Sequence, residues 1–296
     1  MPHTIAAQFD RGYCSGTTDG RFTMTMSLQV PTPLGDVRLE GDGPTFRSLM
    51  PPELCFQGIG FGGYSAAIAA LAGFVQLPGR TLRSIHAVFT APIEPGPLDV
   101  TANVLSAGRS CGMCEITVAQ KGTPVLTALA WFVDPRMMND REAPATQSLS
   151  FNSYDELPWV VEVAPFLKGL NLRAIDYPLT EDTFCDGQGR VALWAVPDAA
   201  ASADRRAAEI SGRLTDIMFF DAFLMDSGLR TEPAQTRMIS LDLSVIWSTG
   251  HEAPAPTLLE ADGRIDRQLA TTQGTLRDTT GATRASATSQ CRIFRA

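Results

Sequence analysis

Histidine is scarce in this chain: 296 residues contain three, at positions 3, 86 and 251. Their separation gives no cluster with metal-ligand spacing, so no metal site is expected. Six cysteines (Cys14, Cys55, Cys111, Cys114, Cys185, Cys291) in so long a chain do not make a disulfide framework. No apolar run approaches the ~20 residues that a membrane helix requires. The opening "MPHTIAAQFDRGYCSG" lacks the basic-then-apolar order of a secretory signal, and the cytosol is the expected compartment. Positive charge is also short, with Lys and Arg totalling 24 against 32 Asp and Glu, a formal charge of -8. That balance argues against nucleic acid or an anionic membrane as the main partner. A small anionic ligand stays possible, because a few local arginines suffice to bind one.

What is present is a globular composition, 44% hydrophobic and 19% charged, enough for one large domain or two ordinary ones. The stretch "GIGFGGYSAAIAALAGF" (58–74) places Gly58, Gly60 and Gly63 in the spacing of a dinucleotide-binding fingerprint. The surroundings do not fit that use. Pro51-Pro52 precede the glycines where a central strand should end, and the acidic residue due about 20 positions later is missing. Residues 62–76 are almost wholly apolar or small, which predicts a helix buried on every side. Gly62 and Gly63 then start a helix inside the structure, where Cβ atoms would clash and free N–H groups can face a ligand.

Organisation along the chain is a repeat of pattern. A strand-like segment at 20–30 is followed by a Pro/Gly-rich loop to about 57 and the apolar helix. Four β-like runs follow: "LRSIHAVFTA", "LDVTANVLSA", "SCGMCEITVAQ" and "PVLTALAWFV", separated by turn signals. Residues 135–178 are polar and proline-bearing, a linker with a short helix expected within "VVEVAPFLKGL". The second half repeats the order: "GRVALWAV" as a strand, a helix over 204–228, then four strands, the last two joined by a hairpin at Asp278–Gly281. The expected divisions are 1–134, 135–178 and 179–296. One helix followed by consecutive antiparallel strands implies an α+β unit whose sheet curls around the helix.

At this level the sequence resembles the type II acyl-CoA thioesterases of double-hotdog architecture. The first half carries "FGGYSAAIAAL", "SIHAVFTAPIEPGP", "VLSAGRS" and "VAQKGTPVLTALAWF"; the second carries "LTDIMFF", "ISLDLSVIW" and "ATSQCRIFR". Together these cover roughly 20–134 and 180–295. The resemblance implies a tandem hotdog, each module an antiparallel sheet wrapped around one long central helix, hydrolysing acyl-CoA with no cofactor. It puts the water-holding roles on Asp216, Ser240 and Gln290, at gaps of 24 and 50 residues. The hydroxyl position is more usually threonine, so Ser240 is a departure. A homo-oligomer is expected from the edge strands such sheets expose.

The residues themselves suit that chemistry. Hydrolysis of a thioester needs a held water, a group to draw off its proton, and donors for the carbonyl oxygen. Gly63 and Tyr64, at the start of the apolar helix, are the candidate oxyanion donors. Asp216 has a structural account as an early-turn helix residue, yet it sits between "ISGRL" and "IMFF", an apolar setting. Asp221 and Asp242 are its rivals, and Asp242 is expected on the same strand face as Ser240. His86 is a candidate for lining the acyl-CoA cleft, against the account of a hydrogen-bonded structural histidine. Arg83, Arg109 or Arg213 could meet the CoA phosphates.

Two motifs fail on context. "GRSCG" matches a nucleophile elbow at Ser110, but a strand follows where a helix is needed. Cys111 and Cys114 are an odd distance apart on a strand, which sends them to opposite faces. Two other functions stay open: a hotdog hydratase or dehydratase, disfavoured by the lack of an Asp-His pair, and a non-catalytic acyl-thioester binder.

Overall fold

Alternation of apolar and polar residues decides where this chain forms strands, and its interruption decides where they end. The computed structural model describes residues 9–14, 24–56, 58–138, 151–160, 165–176, 189–197, 204–229, 237–248 and 256–294. His3 and His251 lie outside these, as do 161–164 of the expected linker helix. In the first half the elements are β1 (Phe9–Cys14), β2 (Met24–Val30), β3 (Val37–Asp42), β4 (Thr45–Met50), β5 (Cys55–Phe56), β6 (Ile59–Gly60), α1 (Gly62–Gln76), β7 (Thr81–Phe89), β8 (Gly96–Ala107), β9 (Cys111–Gln120) and β10 (Thr123–Val133). The second half has β11 (Leu172–Asp176), β12 (Arg190–Ala195), α2 (Arg205–Leu229), β13 (Arg237–Ser240), β14 (Asp242–Trp247), β15 (Thr257–Asp266), β16 (Leu269–Arg277) and β17 (Thr283–Phe294).

One antiparallel sheet runs through both halves in the order β1-β2-β3-β4-β8-β9-β10-β7-β14-β17-β16-β15-β12-β11, with β13 also on β17. The halves join where β7 pairs with β14, Ser244 opposite His86 and Asp242 opposite Val88. Strand β9 shows the rule most clearly: Gly112, Cys114, Ile116 and Val118 face inward, and the residues between them are more exposed. Cys111 and Cys114 therefore do lie on opposite faces, and Ser110 is in the turn before the strand.

Residues 63–74 of α1 are buried without a break, as the lack of a polar face demands. The helix touches β3, β4, β7, β8, β9 and β10 on one side and α2 on the other, within one hydrophobic core that spans both halves. Helix α2 begins on Asp204, whose carboxylate accepts from Arg206 N at 2.8 Å as an N-cap.

Three sequence expectations are corrected. The stretch 31–57 is not one long loop: β3 and β4 form a hairpin there, with Asp42 opposite Thr45 and Gly43 at φ +56°. Five prolines over 31–52 hide the short inward sets Val37/Leu39 and Phe46/Met50, each of which is buried. The expected linker ends in β11, which pairs with β12, and the described part of the short helix expected in it is a 3-10 turn over Pro165–Leu170. The run 237–247 is two strands, because its pairing with β17 slips by one residue between Ser240↔Cys291 and Ser244↔Thr288.

Candidate active site

The slip in β17 pairing builds the site. Leu241 is the extra residue: its N–H donates to Gln290 O at 2.7 Å and its carbonyl accepts from Phe89 N at 2.9 Å, so the bulge is hydrogen-bonded on both sides. Ser240 consequently faces the helices, and Asp242 faces away from them. The expectation that Ser240 and Asp242 share a face is thus overturned, since alternation holds only for unbroken strands.

Ser240 Oγ donates to Asp221 Oδ1 at 2.9 Å. The other oxygen, Oδ2, accepts from Gly63 N at 2.7 Å. A carboxylate from α2, a hydroxyl from β13 and a backbone N–H from the start of α1 therefore meet at the join of the two halves. Asp221 is 1% exposed. Burial pushes its carboxyl up to about 6, against the Ser240 hydroxyl and the Gly63 N–H, which both favour the charged form. A carboxyl poised there is charged at neutral pH and basic enough to take a proton from water.

The glycines have a definite purpose. A Cβ on Gly63 would lie 2.9 Å from the Met218 backbone and 3.0 Å from Asp221 Cβ, so only glycine lets α2 approach this closely. No side chain caps α1. Gly63 N–H orients the carboxylate, while the N–H groups of Gly62 and Tyr64 make no hydrogen bond among the described residues. The Tyr64 side chain is turned away: its buried hydroxyl donates to Asp36 O at 2.9 Å, and burial pushes the phenol up to about 12.

Asp216, the carboxylate assigned from the family spacing, is not the one at Ser240. Five residues separate it from Asp221 on α2, which is about 140° around the helix and about 7.5 Å along it. It accepts from Trp247 Nε1 at 2.9 Å and from Arg284 Nη2 at 3.3 Å, all three groups buried. Arg284 also donates to Thr257 Oγ1 at 2.6 Å, and the guanidinium of Arg213, wholly buried, lies 5.1 Å from the Trp247 ring centre. Burial holds Arg213 down at about 10. Asp216 is the counter-charge of a buried arginine cluster. Arg213 is for the same reason no contact for an external phosphate, whereas Arg109 is exposed in the β8–β9 turn.

Gln290 and His86 are also elsewhere. Gln290 is exposed, with its N–H and Nε2 donating to the two carboxylate oxygens of Asp242 at 2.7 and 2.9 Å. The residue of β17 turned inward opposite Ser240 is Cys291, whose thiol burial pushes up to about 12. His86 is exposed on the outer face of the sheet, with Nδ1 2.6 Å from Ser244 Oγ, while Ile85 and Ala87 take the inward positions. Sequence reasoning ranked Asp221 below Asp216, although "MFFDAFLM" is the more apolar setting of the two. Among the described residues no group of three His, Cys, Asp or Glu is placed to hold a metal ion.

Residues 50–133 match the family model of the acyl-CoA thioesterase N-terminal domain. No curated protein matches the chain. Among solved structures, the fold is shared with the tesB protein of Mycobacterium avium (TM-score 0.71, 18% identity, 87% of this chain and 96% of that one). It is shared with the acyl-CoA thioesterase II TesB2 of Mycobacterium marinum (TM-score 0.69, 16% identity, 89% and 97%). A hot dog fold protein of Alicyclobacillus acidocaldarius is similar to the same degree (TM-score 0.69, 18% identity, 87% and 96%).

Proposed function

We propose, starting from an acyl-CoA thioesterase N-terminal domain over residues 50–133, that the chain hydrolyses acyl-CoA at the Asp221–Ser240–Gly63 site. The observation that carries this is a buried carboxylate held by a helix-start N–H and a hydroxyl. Asp221 accepts a proton as a water oxygen attacks the thioester carbon. The carbonyl oxygen becomes an oxyanion, for which the first turn of α1 offers the Tyr64 N–H, and the C–S bond then breaks. The leaving CoA sulfur takes the proton from Asp221, giving free acid and CoA. Ser240 holds the carboxylate, and water activation belongs to Asp221 in place of Asp216. Gln290, tied to Asp242, has no part in this step.

The same reading takes residues 1–134 and 179–296 as two hotdog modules, each sheet wrapped on its helix, joined by 135–178 in a cytoplasmic enzyme. A homo-oligomer is supported by exposed Val88, Leu129, Trp131 and Ile246 on neighbouring strands of the outer sheet face. The test is thiol release from short, medium, long and aromatic acyl-CoAs by wild type, Asp221→Asn and Asp216→Asn. Turnover lost in Asp221→Asn, with CoA binding kept, supports the reading. Turnover lost only in Asp216→Asn moves the site, and binding without turnover in wild type makes the chain an acyl-thioester-binding protein.

A further inference from the structure

Strands β13 and β14 meet the same edge of β17, and the step between them costs one ladder group its usual acceptor. Leu241 N–H donates to Gln290 O at 2.7 Å, and in an unbroken antiparallel pair Gln290 N–H would donate back to Leu241 O. That carbonyl is turned to the other side, where it accepts from Phe89 N at 2.9 Å. The Asp242 carboxylate takes its place: Oδ1 accepts from Gln290 N at 2.7 Å and Oδ2 from Gln290 Nε2 at 2.9 Å. Ser289 Oγ also donates to Asp242 O at 2.6 Å, so three hydrogen bonds tie Asp242 to β17 beside the bulge. Without the bulge, the pairing of Ser244 with Thr288 continued for four residues would set Ser240 opposite Arg292 in place of Cys291. Ser240 would then share the outward face of Ser244, and its hydroxyl would leave Asp221.

We propose that Asp242 and Gln290 are positioning residues: their paired hydrogen bonds hold the Leu241 bulge and thereby keep the Ser240 hydroxyl on Asp221. The inference rests on the hydrolase reading for what the site does, and on the strand geometry for how it is held. A ladder N–H must find an acceptor, and an ionised carboxylate is a stronger one than a peptide carbonyl. Asp242 therefore favours the bulged register over the straight one, in which Gln290 N–H would return to Leu241 O. Gln290 is exposed and Asp242 half-buried on the outer sheet face, so neither side chain reaches the reacting atoms. Their effect passes through Ser240, whose Oγ donates to Asp221 Oδ1 at 2.9 Å.

The pH profile of kcat/KM, measured with the acyl-CoA that wild type turns over fastest, reads the ionisation of Asp221. Asp242→Ala is expected to move its midpoint upward by about one pH unit, as Ser240→Ala does, because a bond to the charged carboxylate is lost. Removing a negative charge alone would move the midpoint down, so the sign separates loss of the bulge from loss of the charge. Asp242→Asn lacks the charge, but its amide can accept from Gln290 N and donate to Gln290 Oε1, and its midpoint is expected within about 0.3 of wild type. Ser240→Ala combined with Asp242→Ala should shift no further than Ser240→Ala alone, since the two act in series. Asp242→Val, which has no acceptor and suits a strand, decides the matter if the alanine variant does not fold. A midpoint unchanged or lowered in the variants without an acceptor overturns the inference. So do shifts that add in the double variant, or an Asp242→Asn midpoint raised as far as that of Asp242→Ala. If wild type hydrolyses no acyl-CoA, the hydrolase reading fails, and titration of the Asp221 carboxyl by carbon-13 NMR in the same variants decides the positioning role separately.

Discussion

Replacing Asp221 by asparagine should remove activity and at the same time stabilise the protein at neutral pH. The carboxyl titrates near 3.8 in an unfolded chain and near 6 when folded. Because the folded value is the higher, the folded state binds the proton more tightly. The sign follows: this group's stabilisation is complete below about 4 and is lost as pH rises through about 6. Fully expressed, a shift of that size corresponds to about 3 kcal/mol of destabilisation by the ionised carboxylate at pH 7.5. Asparagine removes the charge but donates through its nitrogen toward either Gly63 N–H or Ser240, so a net gain of about 1–2 kcal/mol is expected. For a chain of this length that is a rise in melting temperature of a few degrees. Calorimetric melts of wild type and Asp221→Asn at pH 4.5 and 7.5 check it: the difference should be present at 7.5 and shrink or reverse at 4.5. A variant less stable than wild type at both pH values would refute the argument, because ionised Asp221 would then be a net contributor to the fold. A gain of equal size at both would refute it too, since the benefit would not come from removing a charge.

The remaining expectations use other residues. Activity of wild type should rise with pH through about 6 and level off above it, since the base must be ionised, as kcat/KM profiles will show. Ser240→Ala removes a bond that favours the charged carboxylate, so the midpoint of that profile should move upward, and Ser240→Thr should restore it. Asp216→Ala removes the buried carboxylate that accepts from Arg284 and Trp247 and should destabilise by about 3–5 kcal/mol in denaturant titrations, an effect on folding and not on kcat of the folded fraction. His86→Ala, on the outer sheet face, should leave kcat/KM within twofold of wild type.

Much of the architecture is local and was therefore legible. An all-apolar helix at 62–76, strands with strict alternation and the hairpin at Asp278–Gly281 depend on residues near each other in the chain, and period and turn chemistry report them. The repeat of helix and strands is visible for the same reason, and so is the use of Gly62 and Gly63 at a buried helix start. The hairpin at 37–50 escaped because proline and glycine punctuation masks inward sets of only two residues.

The choice of carboxylate was of another kind. Asp216 and Asp221 lie on one helix, both buried, and no local property says which of two faces about 140° apart meets the first half of the chain. That is decided by where α1 crosses α2, which Gly63 permits, and by a one-residue bulge at Leu241 that turns Ser240 inward and Asp242 outward. Matching 24- and 50-residue gaps to a family counts positions along the chain but cannot register such a slip. The sequence by itself determined two helices buried by strands, and a glycine start with free N–H groups. Only the tertiary structure brought Gly63 to a carboxylate 158 residues away and left Asp216 to neutralise arginine.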